Sequence, residues 1–442
     1  MAESRSAFDV VVVGGGPAGA TAACRLARAG RRVVLFERDR FPRFHIGESL
    51  LASVNDVLEE IGAADLVRAK AFPAKWGATF MTSDGSIERF ADFAVSPEVP
   101  SPQTWQVPRA EFDTVLLRHA AACGVDVREG QRVLDAAFDP AGVSVRVCDD
   151  RDRTEETRAA AIVDASGRFG LLARKFGLRV DEPRLANIAT FAHYSGVPRG
   201  EGRRAGDIRV IARPDLGWFW LIPISETLMS VGVVLPRKAF DALPRMASDA
   251  LLEQAIRETP AVAALMRAAC RQWPVRVEKD FSFGARRYAG DRWVLVGDAG
   301  SFLDPVFSTG VAIALESGVE AARAIDVGLT AGDLSARAFT TFERRQRQRY
   351  RAFRRFVLAF YTRGFRDLFF SPAPPAPFFR AVVTSLAGYW RPSRTTRTWQ
   401  ALFFSLAYLQ DRVPVFPRIA GVGTGRLQTG AVMSHQTTTR DT

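Results

Sequence analysis

Cysteine and histidine are both scarce, with four of each in 442 residues. Cys24, Cys123, Cys148 and Cys270 are scattered and form no C-x-x-C pair. So sparse a set favours free thiols in a reducing cytosol over disulfides, and no metal centre is expected. Long apolar runs are missing too: none approaches the roughly 18 residues that cross a bilayer, so no transmembrane segment is expected. The opening MAESRSAFDVVVVGGG is acidic and polar, then becomes a strand pattern. It is not built like a signal peptide, and a cytoplasmic location is the expectation. Internal repeats are absent.

Acidic residues are outnumbered, 48 against 60 Lys and Arg, for a net charge of +12. No nucleic-acid-binding module accompanies that charge. The arginines fit an anionic cofactor or a basic face for an acidic protein partner. The apolar fraction of 47% is ordinary for a globular protein, and the length accommodates two substructures with sizeable cores.

What is present begins with a strand, Phe8 to Val13, followed by Gly14-Gly15-Gly16-Pro17-Ala18-Gly19, a helix to about Arg28 and a second strand, Arg32 to Phe36. Glu37 ends that strand 18 residues after Gly19. This is a dinucleotide fingerprint in its βαβ setting. Gly14 permits the tight turn, Gly16 the approach of a pyrophosphate and Gly19 close packing of helix on strand. Glu37 would accept from ribose hydroxyls, and an acid there opposes a 2′-phosphate, favouring FAD or NAD over NADP.

The chain then passes through a loop, Arg43-Phe44-His45-Ile46-Gly47-Glu48-Ser49, a helix from Leu51 to Ile61, and Lys75 at the start of a strand near Ala78 to Met81. A lysine beside Pro and Gly is commonly a solvated loop residue. Asp84 to Gln103 reads as a loop or hairpin excursion, and Arg109 stands at the start of a helix from Ala110 to Cys123. Three short strands follow, and the polar stretch Asp149 to Arg158 turns into the strand Ala160 to Asp164. Strands then alternate: Ala189–Tyr194, Ile208–Arg213, Trp218–Pro223 and Met229–Val234. A run of strands inserted in an α/β frame suggests an antiparallel wall of a cleft. Trp218 and Trp220, two apart, share one face of their strand, whether as core aromatics or as a functional wall. Two weakly amphipathic helices cover Asp249 to Cys270.

A strand from Trp293 to Val296 ends in Gly297-Asp298, and the stretch Phe302 to Gly310 feeds a helix from Val311 to Val327. A helix start is an anion site, because its first N–H groups lack partners within the helix. Ser308, Thr309 and Gly310 are small enough for close approach. Ser335 to about Phe370 is helical in period and rich in Arg and Phe, and a proline-rich break at residues 371–377 separates it from more aromatic helix up to about Leu409. These helices either cover the substrate wall or serve a membrane surface or partner. Gly421 to Thr442 is expected to be a disordered tail. The expected fold is α/β: a Rossmann-type FAD-binding domain in two pieces (1–185 and 281–333), an antiparallel sheet region (186–280) and a C-terminal helical region (334–420).

GGGPAG at Gly14–Gly19, DASGR at Asp164–Arg168 and GDAGSFLDP at Gly297–Pro305 together resemble the FAD-binding elements of aromatic-hydroxylase-type flavoproteins. Trp218-Phe219-Trp220-Leu221-Ile222-Pro223 resembles the W-x-W-x-I-P signature of flavin-dependent halogenases, and Phe302 to Gly310 their F-x-x-P-x-x-S-x-G element. The loop FPRFHIGESLL and the lysine in FPAKWGATF resemble the halogenases of pyrroles and phenols, often carried on a peptidyl or acyl carrier protein. The likeness spans about Phe8 to Tyr389.

By that resemblance FAD, used as FADH2, is held by Gly14, Gly16, Ala18, Gly19 and Glu37, with Arg43, Ile46, Ser49 and Arg109 from the next two segments. Asp298, Pro305, Gly310 and Val311 complete its site. Ser308, Thr309 and Gly310 would place chloride or bromide. O2 and reduced flavin would give a flavin C4a-hydroperoxide, and halide attack on it hypohalous acid. Trp218 and Trp220 would keep the substrate from the flavin. Lys75 would aim electrophilic halogen at an electron-rich ring, and Glu48 is a candidate proton handler. A separate NAD(P)H-dependent flavin reductase would supply FADH2, and the aromatic substrate would be free or carrier-tethered, in natural-product biosynthesis. The alternatives are an aromatic monooxygenase, an isoprenoid-chain flavin reductase, or a non-catalytic flavoprotein or carrier-docking subunit.

Overall fold

The computed structural model describes residues 8–423 apart from 280, 281 and 373. The expected frame is there. Parallel strands run in the order Trp293–Leu295, Thr154–Asp164, Phe8–Val13, Val33–Glu37 and Asp126–Glu129. Val10, Val11 and Val12 are fully buried, as a parallel sheet covered on both faces requires. Val10 and Val12 face a core shared with the helices Pro17–Arg28 and Thr309–Ala331. Val11 and Val13 face a smaller core under the hairpin strands Gln131–Asp139 and Gly142–Asp149.

The polar stretch near Asp149 departs from expectation. The strand already begins at Thr154, where its outer half pairs antiparallel with Gly142–Asp149 before its inner half joins the parallel sheet. Its exposed half is polar because one side faces water, so composition hides a strand there.

The second sheet is the expected cleft wall, with one correction. Ile208–Ala212 runs parallel to Gly77–Met81, which in turn pairs antiparallel with Glu88–Asp92. Two strands of the wall therefore come from within the first 185 residues. Parallel partners so distant in sequence leave no local signal, since no short turn joins them. Trp218–Pro223 lies centrally, between Ile208–Ala212 and Met229–Pro236. Trp218, Trp220 and Ile222 point into the main core, while Phe219 and Leu221 join the core under the helices Ser248–Arg257 and Pro260–Leu265. Cys270, expected in the second of those helices, stands instead in an edge strand with Arg271.

The C-terminal region packs onto both units. The expected helix from Ser335 to Phe370 is two helices, Thr340–Phe360 and Arg363–Phe370. They part at Tyr361 and Thr362, and the Thr362 hydroxyl caps the second by accepting from Phe365 N–H. Arg349, 1% exposed, pairs with Glu316 at 2.9 Å and Glu320 at 2.7 Å on the Thr309–Ala331 helix. Arg366, fully buried, donates to the carbonyls of Phe360, Arg213, Leu216 and Val422, and so fastens the turn that leads into the tryptophan strand. Gly421 and Val422, placed in the expected tail, are packed instead: Ser83 N–H donates to the Gly421 carbonyl, and Val422 is buried. Residues 424–442, the rest of that tail, lie outside the described residues.

Candidate active site

A cavity of about 670 Å³ runs between the two sheets, from the glycine turn at one end to Trp218 and Trp220 at the other. The two ends are built by different means.

At the glycine turn, steric exclusion sets the shape. A Cβ on Gly14, at φ +102°, would sit 2.3 Å from the Ala165 carbonyl oxygen, and one on Gly19 would sit 1.9 Å from that of Gly14. Gly16, by contrast, has room: the nearest atom to a Cβ there is an Arg43 guanidinium nitrogen at 3.4 Å. An approachable backbone beside a cation suits a pyrophosphate. Glu37 ends its strand as expected, but its carboxylate already accepts from Gly15 N–H at 2.7 Å and Asp39 N–H at 2.8 Å. It braces the turn and also lines the cavity. Arg109 is engaged as well, gripping Asp113 at 2.8 and 2.9 Å and donating to the Ile46 carbonyl at 2.7 Å. It thereby holds the Arg43–Ser49 loop against the cavity. Asp298 sits at the wall, its carboxyl raised to about 6 by burial, with Arg168 and Arg109 opposing the shift. The open Gly16 backbone, the cations and the acid at the end of the second strand fit a flavin dinucleotide.

At the far end, Trp218 and Trp220 form the wall with ring centroids 5.9 Å apart. Gly232 lies opposite Trp220, where a Cβ would come within 2.3 Å of the indole. The Trp218 indole N–H donates to the Tyr361 hydroxyl at 2.8 Å, and that hydroxyl donates to Asp304 at 2.8 Å. Asp304, fully buried, also accepts from Asn187 Nδ2 at 2.7 Å and from Val306 N–H at 3.1 Å. Burial raises its carboxyl to about 6 against these hydrogen bonds. Asp304 thus anchors the short turn Pro305–Phe307, which delivers Ser308 in the left-handed region at φ +56°. A non-glycine residue held there signals a constrained segment. The Thr309–Ala331 helix begins immediately after it with no side-chain cap. Ser308, Gly310 and Val311 line the cavity, and a Cβ on Gly310 would meet only the Phe302 ring at 3.7 Å. The start of this helix therefore borders the cavity, with the Ser308 N–H donated to the Pro305 carbonyl at 2.8 Å and the first N–H groups of the helix without partners inside it.

Lys75 is 1% exposed and stands behind the cavity wall. Its amine donates to Ser49 Oγ at 2.9 Å and to the Leu50 carbonyl at 2.6 Å, beneath the Phe93 ring at 5.3 Å. Burial lowers it to about 7, with only Asp207 pulling the other way. Ser49 itself lines the cavity, so the amine is one hydrogen bond away. Glu48 lines the cavity too. One of its oxygens meets His193 Nε2 at 3.0 Å, while the other, and His193 Nδ1, are buried without a protein partner.

Most of the expected residues therefore meet at one cavity, including Ala18 and Pro305. Gly19, Thr309 and Lys75 do not line it: Gly19 packs on Gly14, Thr309 is buried, and Lys75 is screened by Ser49. Asp304, Tyr361, Asn187 and His193 are additions. No motif spacing marks them, because they come from three distant segments: the strand Asn187–Ser195, the turn at Asp304 and the join at Tyr361. The four cysteines are free thiols, as expected, but they are not all isolated. Cys24, His119 and Cys123 converge with their ligand atoms within 4.8 Å of one another. Their sequence separation conceals this.

A family model described as an FAD binding domain matches residues 7–356. The chain is 32% identical over 376 residues to the 1H-pyrrole-2-carbonyl peptidyl-carrier protein chlorinase of Pseudomonas fluorescens, covering 80% of this chain and 83% of that protein. It is 34% identical over 335 residues to the corresponding brominase of Pseudoalteromonas luteoviolacea, covering 75% and 80%. Among solved structures, a flavoprotein/dehydrogenase from Cytophaga hutchinsonii superposes with a TM-score of 0.84 at 30% identity, covering 91% of this chain and 98% of that one.

Proposed function

Since the chain belongs to the flavin-dependent halogenases within the FAD-binding-domain family, we propose that it transfers electrophilic halogen to an electron-rich aromatic ring, with Lys75 as the residue that directs the transfer. The observation carrying this reading is the uncapped helix start at Thr309, which follows the constrained Ser308 and borders the same cavity as Trp218 and Trp220. A hydroxylase on the same frame has no use for a fixed anion beside its flavin.

In this reading Gly14, Gly16, Ala18, Glu37, Arg43 and Arg109 hold the dinucleotide part of FAD, while Ser49, Ile46, Asp298, Pro305 and Val311 bound its ring end. The bound reduced flavin would activate O2, which would supply the oxidising equivalents that turn halide into hypohalous acid. The Ser308 N–H is already donated to the Pro305 carbonyl at 2.8 Å, so the amides of Thr309 and Gly310 hold the halide, beside Ser308 and without a side-chain cation; the anion is only partly neutralised and stays reactive. The paired indoles deny the acceptor ring access to the flavin. Hypohalous acid formed at this end reaches Ser49, from which Lys75 is one hydrogen bond away. Burial keeps a substantial fraction of the amine neutral near pH 7, the form that can be halogenated or can hydrogen-bond the acid. Glu48, paired with His193, is the group that takes or returns the proton. Lys75 is enclosed, so the acceptor ring reaches it only after its surroundings move.

The acceptor class we propose is a pyrrole or phenol, carrier-tethered in keeping with the pyrrole-acting relatives and with the net charge of +12, which suits an acidic carrier. The halide is chloride, with bromide as a competent substitute. The chain carries one dinucleotide fingerprint, so reduced flavin comes from a separate NAD(P)H-dependent reductase. The test is mass spectrometry of pyrrole and phenol acceptors, free and carrier-loaded, after incubation with reduced FAD, O2 and chloride or bromide. Halogenated product is expected. Hydroxylated product formed without halide would overturn the proposal.

A further inference from the structure

Away from the cavity, three soft donors meet between two helices of the cofactor-binding unit. Cys24 lies on Pro17–Arg28, while His119 and the helix-capping Cys123 stand four apart at the end of Arg109–Ala122. That spacing puts His119 and Cys123 on one helix face, turned towards Cys24. Cys24 Sγ is 3.4 Å from Cys123 Sγ, and Cys123 Sγ is 3.7 Å from His119 Nε2. A tetrahedral zinc ion, with bonds of about 2.3 Å to sulfur and about 2.05 Å to nitrogen, sets two sulfurs about 3.8 Å apart and sulfur from nitrogen about 3.6 Å apart. The present spacings are within a few tenths of an ångström of these. An oxygen donor is also at hand: the Ile61 carbonyl lies 2.8 Å from His119 Nε2 and 3.7 Å from Cys24 Sγ.

We propose that Cys24, His119 and Cys123 form a structural site for a thiophilic divalent cation, zinc, with the Ile61 carbonyl or a water in the fourth position. A disulfide uses two of these groups and needs the sulfurs to close from 3.4 to about 2 Å between packed helices. A metal ion takes all three donors, with Cys123 near its present distance from both neighbours and all three ligand atoms already within 4.8 Å of one another. His119 and Cys123 are each half-buried, which opens a path for the ion, while Cys24 is fully buried behind them. Binding displaces the proton that His119 Nε2 shares with the Ile61 carbonyl and the protons of both thiols. Zinc deprotonates a coordinating thiol outright, so affinity rises with pH as protons are released. The ion ties the helix that follows the glycine turn to the helix that begins at Arg109. The site takes no part in the halogen chemistry and stands or falls independently of it.

The experiment uses the full chain loaded with FAD, reduced and then stripped of metal by a chelator. Cobalt(II) titration should give a tetrahedral d–d spectrum with a thiolate charge-transfer band, saturating at one ion per chain and abolished by zinc. Cys123→Ser and His119→Ala should weaken binding at least about tenfold while FAD loading persists, and Cys148→Ser should bind as the parent does. Zinc should raise the Tm of the parent and leave that of Cys123→Ser unchanged. Absence of a saturable tetrahedral spectrum would overturn the proposal, as would unchanged affinity in Cys123→Ser. A Cys24–Cys123 disulfide in the protein purified without reductant, found by peptide mass, would equally overturn it.

Discussion

The two ends of the cavity are assembled on opposite principles. The glycine turn is local: Gly14, Gly16 and Gly19 lie within six residues, where the missing side chains of Gly14 and Gly19 let backbone pack on backbone and that of Gly16 leaves its backbone open to the cavity. The tryptophan end is composite. Asp304 draws together Asn187 from the second sheet, Tyr361 from the join of two C-terminal helices, and through Tyr361 the Trp218 indole. A site made by omission can be written in a short motif. A site made by cross-links depends on the whole chain being folded, and this one gives the C-terminal helices a share in holding the wall.

Breaking each end should therefore give different failures. The largest effect is expected from Lys75→Met, which removes the amine and keeps its volume. Ring halogenation should fall by about 10²–10⁴-fold, measured by product mass, while FAD affinity stays within about twofold. Trp218→Ala should follow, costing about 3–5 kcal/mol in denaturant unfolding, since it deletes a fully enclosed indole and frees the Tyr361 hydroxyl. At the other end, Gly14→Val forces a Cβ against Ala165 at positive φ. Strain of about 1–3 kcal/mol should appear as FAD binding roughly 5- to 150-fold weaker in a fluorescence titration. Tyr361→Phe should be milder. It leaves Asp304 and the Trp218 N–H each one partner short, at about 1–2 kcal/mol. If the anchored turn holds the halide, the KM for halide should rise several-fold, with FAD affinity unmoved.

The smallest effect is that of pH. With the Lys75 amine at about 7, its neutral form grows as pH rises through 7, and the rate of ring halogenation should climb over the same range. The linked stability has the same sign. From about 7 to the unfolded lysine's ~10.4 the unfolded chain binds the extra proton, so this site's contribution to stability increases with pH. Lys75→Met should remove that component from a pH series of unfolding measurements.

This contrast also explains what could be read from residues alone. The βαβ frame and its fingerprint are legible because periodicity, glycine spacing and the terminal acid all lie within about thirty residues of chain. The tryptophan face follows from the two-residue period of a strand, although its role does not. Ser308–Gly310 reads as an anion site because a helix start is a local feature. What escapes is long-range: the parallel pairing of Ile208–Ala212 with Gly77–Met81, the break at Tyr361, the anchoring of Asp304, and the meeting of Cys24 with His119 and Cys123. Lys75 falls between these cases. Resemblance marks it, but only packing reveals that Ser49 stands between its amine and the cavity.

The central claim is that halide oxidation and ring halogenation are separate events, the first at the helix start and the second through Lys75. It is tested most directly by mixing oxygen with the reduced-FAD-loaded protein, parent and Lys75→Met side by side, in the presence of bromide and a small diffusible halogen acceptor but no ring substrate. Equal yields of halogenated acceptor from the two proteins, with ring product lost only in the variant when the ring substrate is added, is the predicted result. Loss of the diffusible product in Lys75→Met, or undiminished ring halogenation by it, would contradict the account.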